Sequence, residues 1–359
     1  MLIDTILQED IETVVKSGYC IDKLKESTVL VTGATGLIGS QLVKLLMCFN
    51  SIKNLKIRII AFARDEKKVQ KVYGELVNRE DLVIQVGDIN APIYVAENVD
   101  YIIHAASATS SKYFVNYPVE TITTAINGTL NVLNLAHDKA VKAMVYLSSL
   151  EVYGTPTKEE LISEKDYGYI EPLSTRSSYS EGKRMAECLC HSYAEEFGVN
   201  IKIARLSQTF GAGVSYDDER VFAQFARCVI EKKNIILHTQ GKTVRSYCYI
   251  SDALVGILDI LQFGKKGEAY NITNMNTKIS IRGMAELVCK AFPEANICVE
   301  IDIPDNVAKF GYNPEMIICI DSTKLQELTG WKPKVPLEEM YKRMIASMII
   351  TKNKGDKQA

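Results

Sequence analysis

The chain is expected to fold as an α/β protein, a doubly wound parallel sheet with a smaller C-terminal α/β lobe. Three observations carry that expectation. Short apolar runs at 29–31, 56–63, 82–86, 101–106 and 141–148 alternate with segments of helical periodicity. Such alternation marks βαβ units whose parallel strands are covered on both faces. The first run breaks into Gly33, Gly36 and Gly39 just as an apolar helical stretch begins at Leu37. At 359 residues, the chain has room for one large domain or two associated lobes.

Composition narrows the function classes. A hydrophobic content of 47% and a charged content of 24% are those of an ordinary globular protein. The formal net charge of −2 argues against a nucleic-acid partner, which would call for a basic face or tail. No apolar run reaches the roughly 18–20 residues that a membrane-spanning helix needs. The N-terminus also lacks the basic stretch that opens a signal peptide. No membrane partner and a cytoplasmic location are therefore expected. The nine cysteines are scattered, mostly in apolar runs, as suits reduced thiols. No metal site is expected, since no cysteine and histidine clusters stand at ligand spacing.

Residues 1–27 read as an N-terminal helical extension, with Ile3, Ile6, Leu7, Ile11 and Val14 at helical spacing. It is expected to pack on the outside of the domain, a dimer contact being the alternative. Residues 28–39 then give a strand, a tight glycine turn and a helix N-terminus. Free backbone N–H groups and the helix dipole favour a phosphate there. Gly33, Thr35, Gly36, Leu37, Ile38 and Gly39 are thus expected to cradle a dinucleotide pyrophosphate, in a GxxGxxG variant of the Rossmann-type fingerprint.

The second strand ends in Ala63-Arg64-Asp65. An acid at that strand end would bond the adenosine ribose, whereas an arginine accepts a 2′-phosphate. With Ala63 in the acid position and Arg64 next to it, NADP(H) is favoured over NAD(H). The alternative is a solvated Arg64, with Asp65 capping the next helix. Asp88 and Ile89 follow the third strand, where Asp88 either reaches the adenine or caps a turn. Ala105 and Ala106, at the end of the fourth run (101–106), are small enough to lie against a dinucleotide, and a polar loop opens at Ser107. The dinucleotide-binding domain is expected at 28–206, with 246–272 returning to it. Segments 207–245 and 273–350 are assigned to the substrate-binding lobe, and 351–359 to a flexible tail.

Ser149 and Glu151 stand at the end of the fifth strand, the edge where open α/β sheets bind ligands. Tyr179 and Lys183 are four residues apart and share a helix face. A lysine beside a tyrosine is expected to favour the phenolate, lowering a pKa that starts near about 10. Tyr179 would then exchange a proton with an alcohol oxygen, while Ser149 bonds the same oxygen. A tyrosine and a lysine at this spacing often arise by chance. Their order after the glycine turn and the serine-ended strand gives the pair its force.

In that order, residues 32–39, 148–154, 179–183, 245–252, 270–272 and 330–333 resemble the extended short-chain dehydrogenase/reductases. The resemblance is to the NAD-dependent epimerase/dehydratase family acting on nucleotide sugars, and it covers residues 27–348. It implies that Ser149 is the catalytic Ser/Thr, Tyr179 the acid/base and Lys183 its partner on the nicotinamide ribose. It also implies a nucleotide-linked sugar as substrate, with Arg245 gripping the diphosphate, and a homodimer through helices at 118–137 and 179–197. Ser107, Gln208 and Tyr312 are further candidate substrate contacts. Gln208 stands where the family usually has Asn, and Tyr312 near where a second diphosphate arginine is usual.

The 4,6-dehydratases of the family carry an Asp-Glu pair after the catalytic Thr. This chain has Leu150-Glu151, and Leu150 cannot protonate a leaving hydroxyl. Glu151 matches a Glu of UDP-glucuronate decarboxylases and is a candidate base, or else a hydrogen-bonded strand-end carboxylate. Arg64, Leu150 and the two altered phosphate positions turn the expectation to an NADPH-dependent reductase of a nucleotide-linked keto sugar, for surface-polysaccharide synthesis. An NAD(P)-dependent epimerase or UDP-glucuronate decarboxylase-like enzyme is the alternative. A non-catalytic NADP sensor is remote, because Ser149, Tyr179 and Lys183 are retained together.

Overall fold

The structure, a computed structural model, describes residues 2–108, 110–156, 161–304 and 315–355. Along the chain, α1 (Thr5–Lys16) leads into β1 (Thr28–Thr32), α2 (Leu37–Lys53), β2 (Arg58–Ala63), α3 (Glu66–Tyr73) and β3 (Leu82–Val86). Next come β4 (Tyr101–His104), α4 (Ser111–Asn116), α5 (Pro118–Asp138), β5 (Ala143–Ser149) and α6 (Ser177–Glu196). They are followed by β6 (Ile201–Leu206), β7 (Gln208–Phe210), α7 (Val221–Glu231), β8 (Ile235–Leu237), β9 (Val244–Tyr249) and α8 (Ile250–Phe263). The chain ends with β10 (Ala269–Ile272), β11 (Asn274–Ser280), α9 (Ile281–Ala291), β12 (Val299–Ile301), β13 (Ile317–Ile318), α10 (Thr323–Thr329) and α11 (Leu337–Gly355).

Seven parallel strands form the main sheet in the order β10-β6-β5-β4-β1-β2-β3. The apolar runs have no polar face because helices cover both sides. Leu30, Ile60, Ile102 and Met144 are buried in one cluster. Their neighbours Val29, Val31, Ile59, Ile103 and Val145 are buried in another. Each such side chain contributes about 1.5–3 kcal/mol on burial, which fixes the register of the sheet. The strand order reverses between β1 and β4, and ligands of open α/β sheets bind outside the C-terminal ends of the strands at such a point.

The second lobe is organised on β9. It pairs antiparallel with β11 and parallel with β7 and β13, while β8 and β12 form a separate parallel pair. Residues 246–249 therefore belong to the small sheet, and the chain returns to the main one through α8 and β10. The N-terminal helix is a packing element of its own chain. Leu7, Ile11, Val14 and Val15 are buried against α2, α8 and α11. The carboxylate of Asp10 accepts from the Tyr249 hydroxyl at 2.5 Å and from Arg343 Nε at 2.7 Å.

Residues 351–355, assigned from the sequence to a flexible tail, continue α11 instead. α11 runs to Gly355, because its inner residues Met340, Met344 and Met348 are buried. Thr351 Oγ1 also donates to the Ser347 carbonyl at 3.0 Å. No helix among the described residues is long and apolar enough to cross a membrane.

Candidate active site

The turn from β1 to α2 is closed by contacts that exclude side chains. Gly33 has φ 64°, and a Cβ there would lie 2.7 Å from the backbone of Ala105. A Cβ on Gly39 would lie 2.3 Å from the Gly33 carbonyl oxygen. Ala106 N–H donates to Thr32 Oγ1 at 3.3 Å, tying the loop after β4 to the end of β1. Gly36 is the N-cap of α2 and has no side-chain cap, so the first N–H groups of the helix keep their capacity for a ligand. These features fit a pyrophosphate.

A cleft of about 540 Å³ opens over this turn. Gly33, Thr35, Gly36, Leu37, Ile38 and Gly39 all line it, as do Arg64, Asp88, Ile89, Ala105 and Ala106. Ser107, Ser149, Glu151, Tyr179, Lys183 and Gln208 line the same cleft. The cofactor candidates and the candidate chemistry thus share one space. Two details refine the first group. Asp65 caps α3, its Oδ1 accepting from Lys67 N–H at 2.9 Å and Lys68 N–H at 3.2 Å, while Arg64 stays exposed on the cleft wall near Lys68. Asp88 closes a turn by accepting from Asn90 N–H at 3.0 Å.

The electrostatics differ from the expected lowering of the tyrosine pKa. Burial pushes the Tyr179 phenol up to about 12, opposed by a hydrogen bond from Ser149 and by the charge of Arg220, with Glu151 pushing further upward. Burial likewise brings Lys183 down to about 8, against the charge of Glu187. The Lys183 ammonium is turned to the strand: Nζ donates to the Leu147 carbonyl at 2.7 Å and lies 5.8 Å from the Tyr179 ring centre. In this arrangement desolvation outweighs the neighbouring cation.

Behind the site, Ser148 Oγ donates to Glu187 Oε1 at 2.5 Å. Glu187 forms a buried ion pair with Arg205, Oε2 to Nη2 at 2.6 Å. Arg205 lies on β6 opposite Ser148, so the network fixes the strand end that carries Ser149.

Two residues that the sequence does not single out belong to the cleft. Phe114 of α4 stacks on Tyr179, and Arg220 is held in a two-point ion pair with Asp218. The first contact joins segments 65 residues apart, which no local pattern reveals. For Arg220 the hint is its place just before the amphipathic helix α7. Arg245 does not line the cleft. It is buried, and its Nη1 donates to the carbonyls of Val244 at 3.1 Å and Met316 at 3.3 Å. Tyr312 lies outside the described residues.

Proton exchange at an alcohol oxygen beside a dinucleotide cradle is the chemistry of the extended short-chain dehydrogenase/reductases, and fold and cleft place the chain in that class. Within it, the chain belongs to the NAD dependent epimerase/dehydratase family, which residues 29–273 match. The chain is 34% identical over 317 residues to UDP-glucuronic acid decarboxylase 6 of Arabidopsis thaliana, covering 87% of this chain and 85% of that one. It is 30% identical over 324 residues to UDP-glucuronic acid decarboxylase 1 of Xenopus tropicalis, covering 88% and 71%.

Among solved structures, an epimerase of Methanothermobacter thermautotrophicus is similar with a TM-score of 0.78 and 20% identity, over 99% of this chain and 98% of that one. UDP-glucuronic acid 4-epimerase of Bacillus cereus, solved in complex with NAD, has a TM-score of 0.72 and 22% identity, over 90% and 98%. At these identities the structures speak for the fold alone.

Proposed function

We propose that the chain decarboxylates a UDP-linked uronic acid, oxidising the sugar transiently and returning the hydride, so that the cofactor is recycled in place. The observation that carries this reading is Glu151: its side chain shares the cleft with Ser149, Tyr179 and Lys183, while the preceding Leu150 is buried and cannot ionise. That pair leaves 4,6-dehydration without its acid and supplies one carboxylate for proton handling. The relatives named above favour the same reaction.

The residues from Gly33 to Gly39, with Ala105, Ala106, Tyr179 and Lys183, would hold the dinucleotide. When bound, it supplies a reversible hydride acceptor. Tyr179 would take the proton of the sugar hydroxyl next to the carbon bearing the carboxylate, with Ser149 holding the oxygen. The resulting ketone accepts the electron pair released as the carbon–carboxylate bond breaks and carbon dioxide leaves. Ser149 and Tyr179 are placed to stabilise that oxygen, and Glu151 to manage the proton that replaces the carboxylate. The diphosphate of the substrate would meet Gln208, with Arg245 turning from its present carbonyl partners.

Two finer points belong to this reading. A recycled cofactor favours NAD(H), as the family name and the neighbour solved with NAD also do. Arg64 with Lys68 is the charge by which a 2′-phosphate would be accepted, so NADP(H) is the second reading. A homodimer through α5 and α6 is supported by Val119, Ile122 and Met185, large apolar residues exposed on these helices, and by the exposed Phe197 that caps the end of α6.

Incubating the protein with UDP-glucuronate and a trace of NAD⁺ tests the function: a UDP-pentose and carbon dioxide are expected. Unchanged UDP-glucuronate, with stoichiometric NADPH consumption on nucleotide-linked keto sugars, would establish a reductase instead.

A further inference from the structure

In the main sheet β5 lies between β4 and β6, and it ends at Ser149. The chain that leaves each flanking strand supplies a wall of the cleft. After β4 the wall holds Ser110, Tyr113 and Phe114, and after β6 it reaches Arg220. Tyr179 stands between the two, with Phe114 stacked on its ring and the charge of Arg220 acting on its hydroxyl.

One contact joins these walls. Lys112 Nζ donates to Glu219 Oε1 in an ion pair between the first turn of α4 and the residue before Arg220. Among the described residues, no other hydrogen bond or ion pair links 110–116 to 216–224. The walls themselves are fixed from behind. Ser178 Oγ donates to the Phe114 carbonyl, holding α4 on α6. Gln224 Nε2 donates to the Glu219 carbonyl at 2.6 Å, and Arg227 Nη1 to the carbonyls of Tyr216 at 2.7 Å and Asp218 at 2.6 Å, holding the other wall on α7. The pair is open to water, its side chains being 73% and 54% exposed. Such a pair is weak, and its side chains part and rejoin far faster than a ligand dissociates. A contact that bridges two fixed walls and opens at little cost suits a gate.

We propose that the Lys112–Glu219 pair is a latch over the reaction centre, which must open for a ligand to pass to and from Tyr179. The inference rests on the dinucleotide cleft of the proposed function and not on its sugar chemistry.

The test follows NADH binding by stopped-flow fluorescence of the reduced nicotinamide. It compares the wild-type protein with Lys112→Ala, with Glu219→Ala and with the exchanged variant that combines Lys112→Glu and Glu219→Lys. In each single variant the association and dissociation rate constants should both rise by about two- to fivefold, with Kd within about twofold. Both rates move together because the pair is lost from the free and the loaded protein alike. The exchanged variant should return toward wild-type rates, and about 1 M sodium chloride should bring the wild-type rates toward those of the single variants.

Unchanged rates in the single variants would overturn the latch. Faster release with unchanged association would make the side chain a ligand contact and not a gate. An exchanged variant as fast as the single ones would show that the charges act separately. Each of these leaves the decarboxylase reading in place, since only NADH is used. A wild-type protein that does not bind NADH would overturn both.

Discussion

The ring of Phe114 lies flat on the ring of Tyr179, with centroids 4.2 Å apart and planes 8° from parallel. Ser178 Oγ, next to the tyrosine, donates to the Phe114 carbonyl at 3.2 Å, so α4 is held against the start of α6 at this point. The phenylalanine covers one face of the phenol and contributes to the burial that raises its pKa.

Phe114→Ala should therefore admit water and bring the Tyr179 pKa from about 12 toward its ordinary value. The deprotonated phenol then forms at lower pH, so the rising limb of the pH–rate profile moves down by about one unit. Phe114→Leu keeps an apolar cover and should move it less. The check is kcat/KM against pH for both variants. Coincident profiles would show that the stack does not control the phenol.

The ion pair behind the site makes a second prediction. Glu187 and Arg205 are both buried, and Arg205 also donates to the Tyr153 hydroxyl at 3.0 Å and the Glu164 carbonyl at 2.8 Å. Arg205→Leu strands the Glu187 carboxylate and should lower the unfolding free energy by about 3–5 kcal/mol. Changing both residues to apolar ones should recover part of that loss. Urea unfolding of the single and double variants measures it.

Much of this architecture was legible in the sequence. The strands from Val29, Ile59, Leu82, Ile102 and Val145 follow from apolar runs that only a sheet covered on both faces can bury. The glycine turn followed from residues whose side chains would collide with Ala105 and Gly33. Side-chain placement was less legible where a tertiary contact decides it. The Arg64-Asp65 step was ambiguous because a helix cap and a phosphate contact need the same strand end, and the capping geometry shows only that Asp65 takes the first role. The tyrosine was expected to be acidified by Lys183, but the direction of its pKa depends on burial by Phe114 and on a lysine turned toward Leu147, and neither appears in a four-residue spacing.

Asp259 gives a pH-dependent prediction for stability. It is buried on α8 and accepts from the Tyr19 hydroxyl at 2.9 Å, and burial pushes its carboxyl from 3.8 up to about 6. A folded-state pKa above the unfolded one stabilises the fold fully below the unfolded value and is lost as pH rises through the folded value. The stability of the wild type relative to Asp259→Asn should thus fall by about 1–3 kcal/mol between pH 4 and pH 7.5. Urea unfolding of both proteins across that range is the check. Parallel curves would place the carboxyl at its ordinary pKa in the fold.

The exposed apolar residues on α5 and α6 predict an assembly. Ile122→Glu with Met185→Glu should convert a dimer to a monomer in sedimentation at micromolar concentration, because two charges would be buried unpaired across the contact. A wild-type protein that sediments as a monomer would remove the proposal.

Release of labelled carbon dioxide from UDP-glucuronate carrying ¹³C in its carboxylate is the most direct measurement of the proposed chemistry. With cofactor at a small fraction of the substrate, the wild-type protein should release label over many turnovers with no net change in reduced nicotinamide. Tyr179→Phe should slow release by about a hundred- to ten-thousand-fold, and Glu151→Gln should slow it while NADH binding is kept. Label retained in the sugar nucleotide after prolonged incubation of the wild-type protein, with NAD⁺ bound, would contradict the decarboxylase reading.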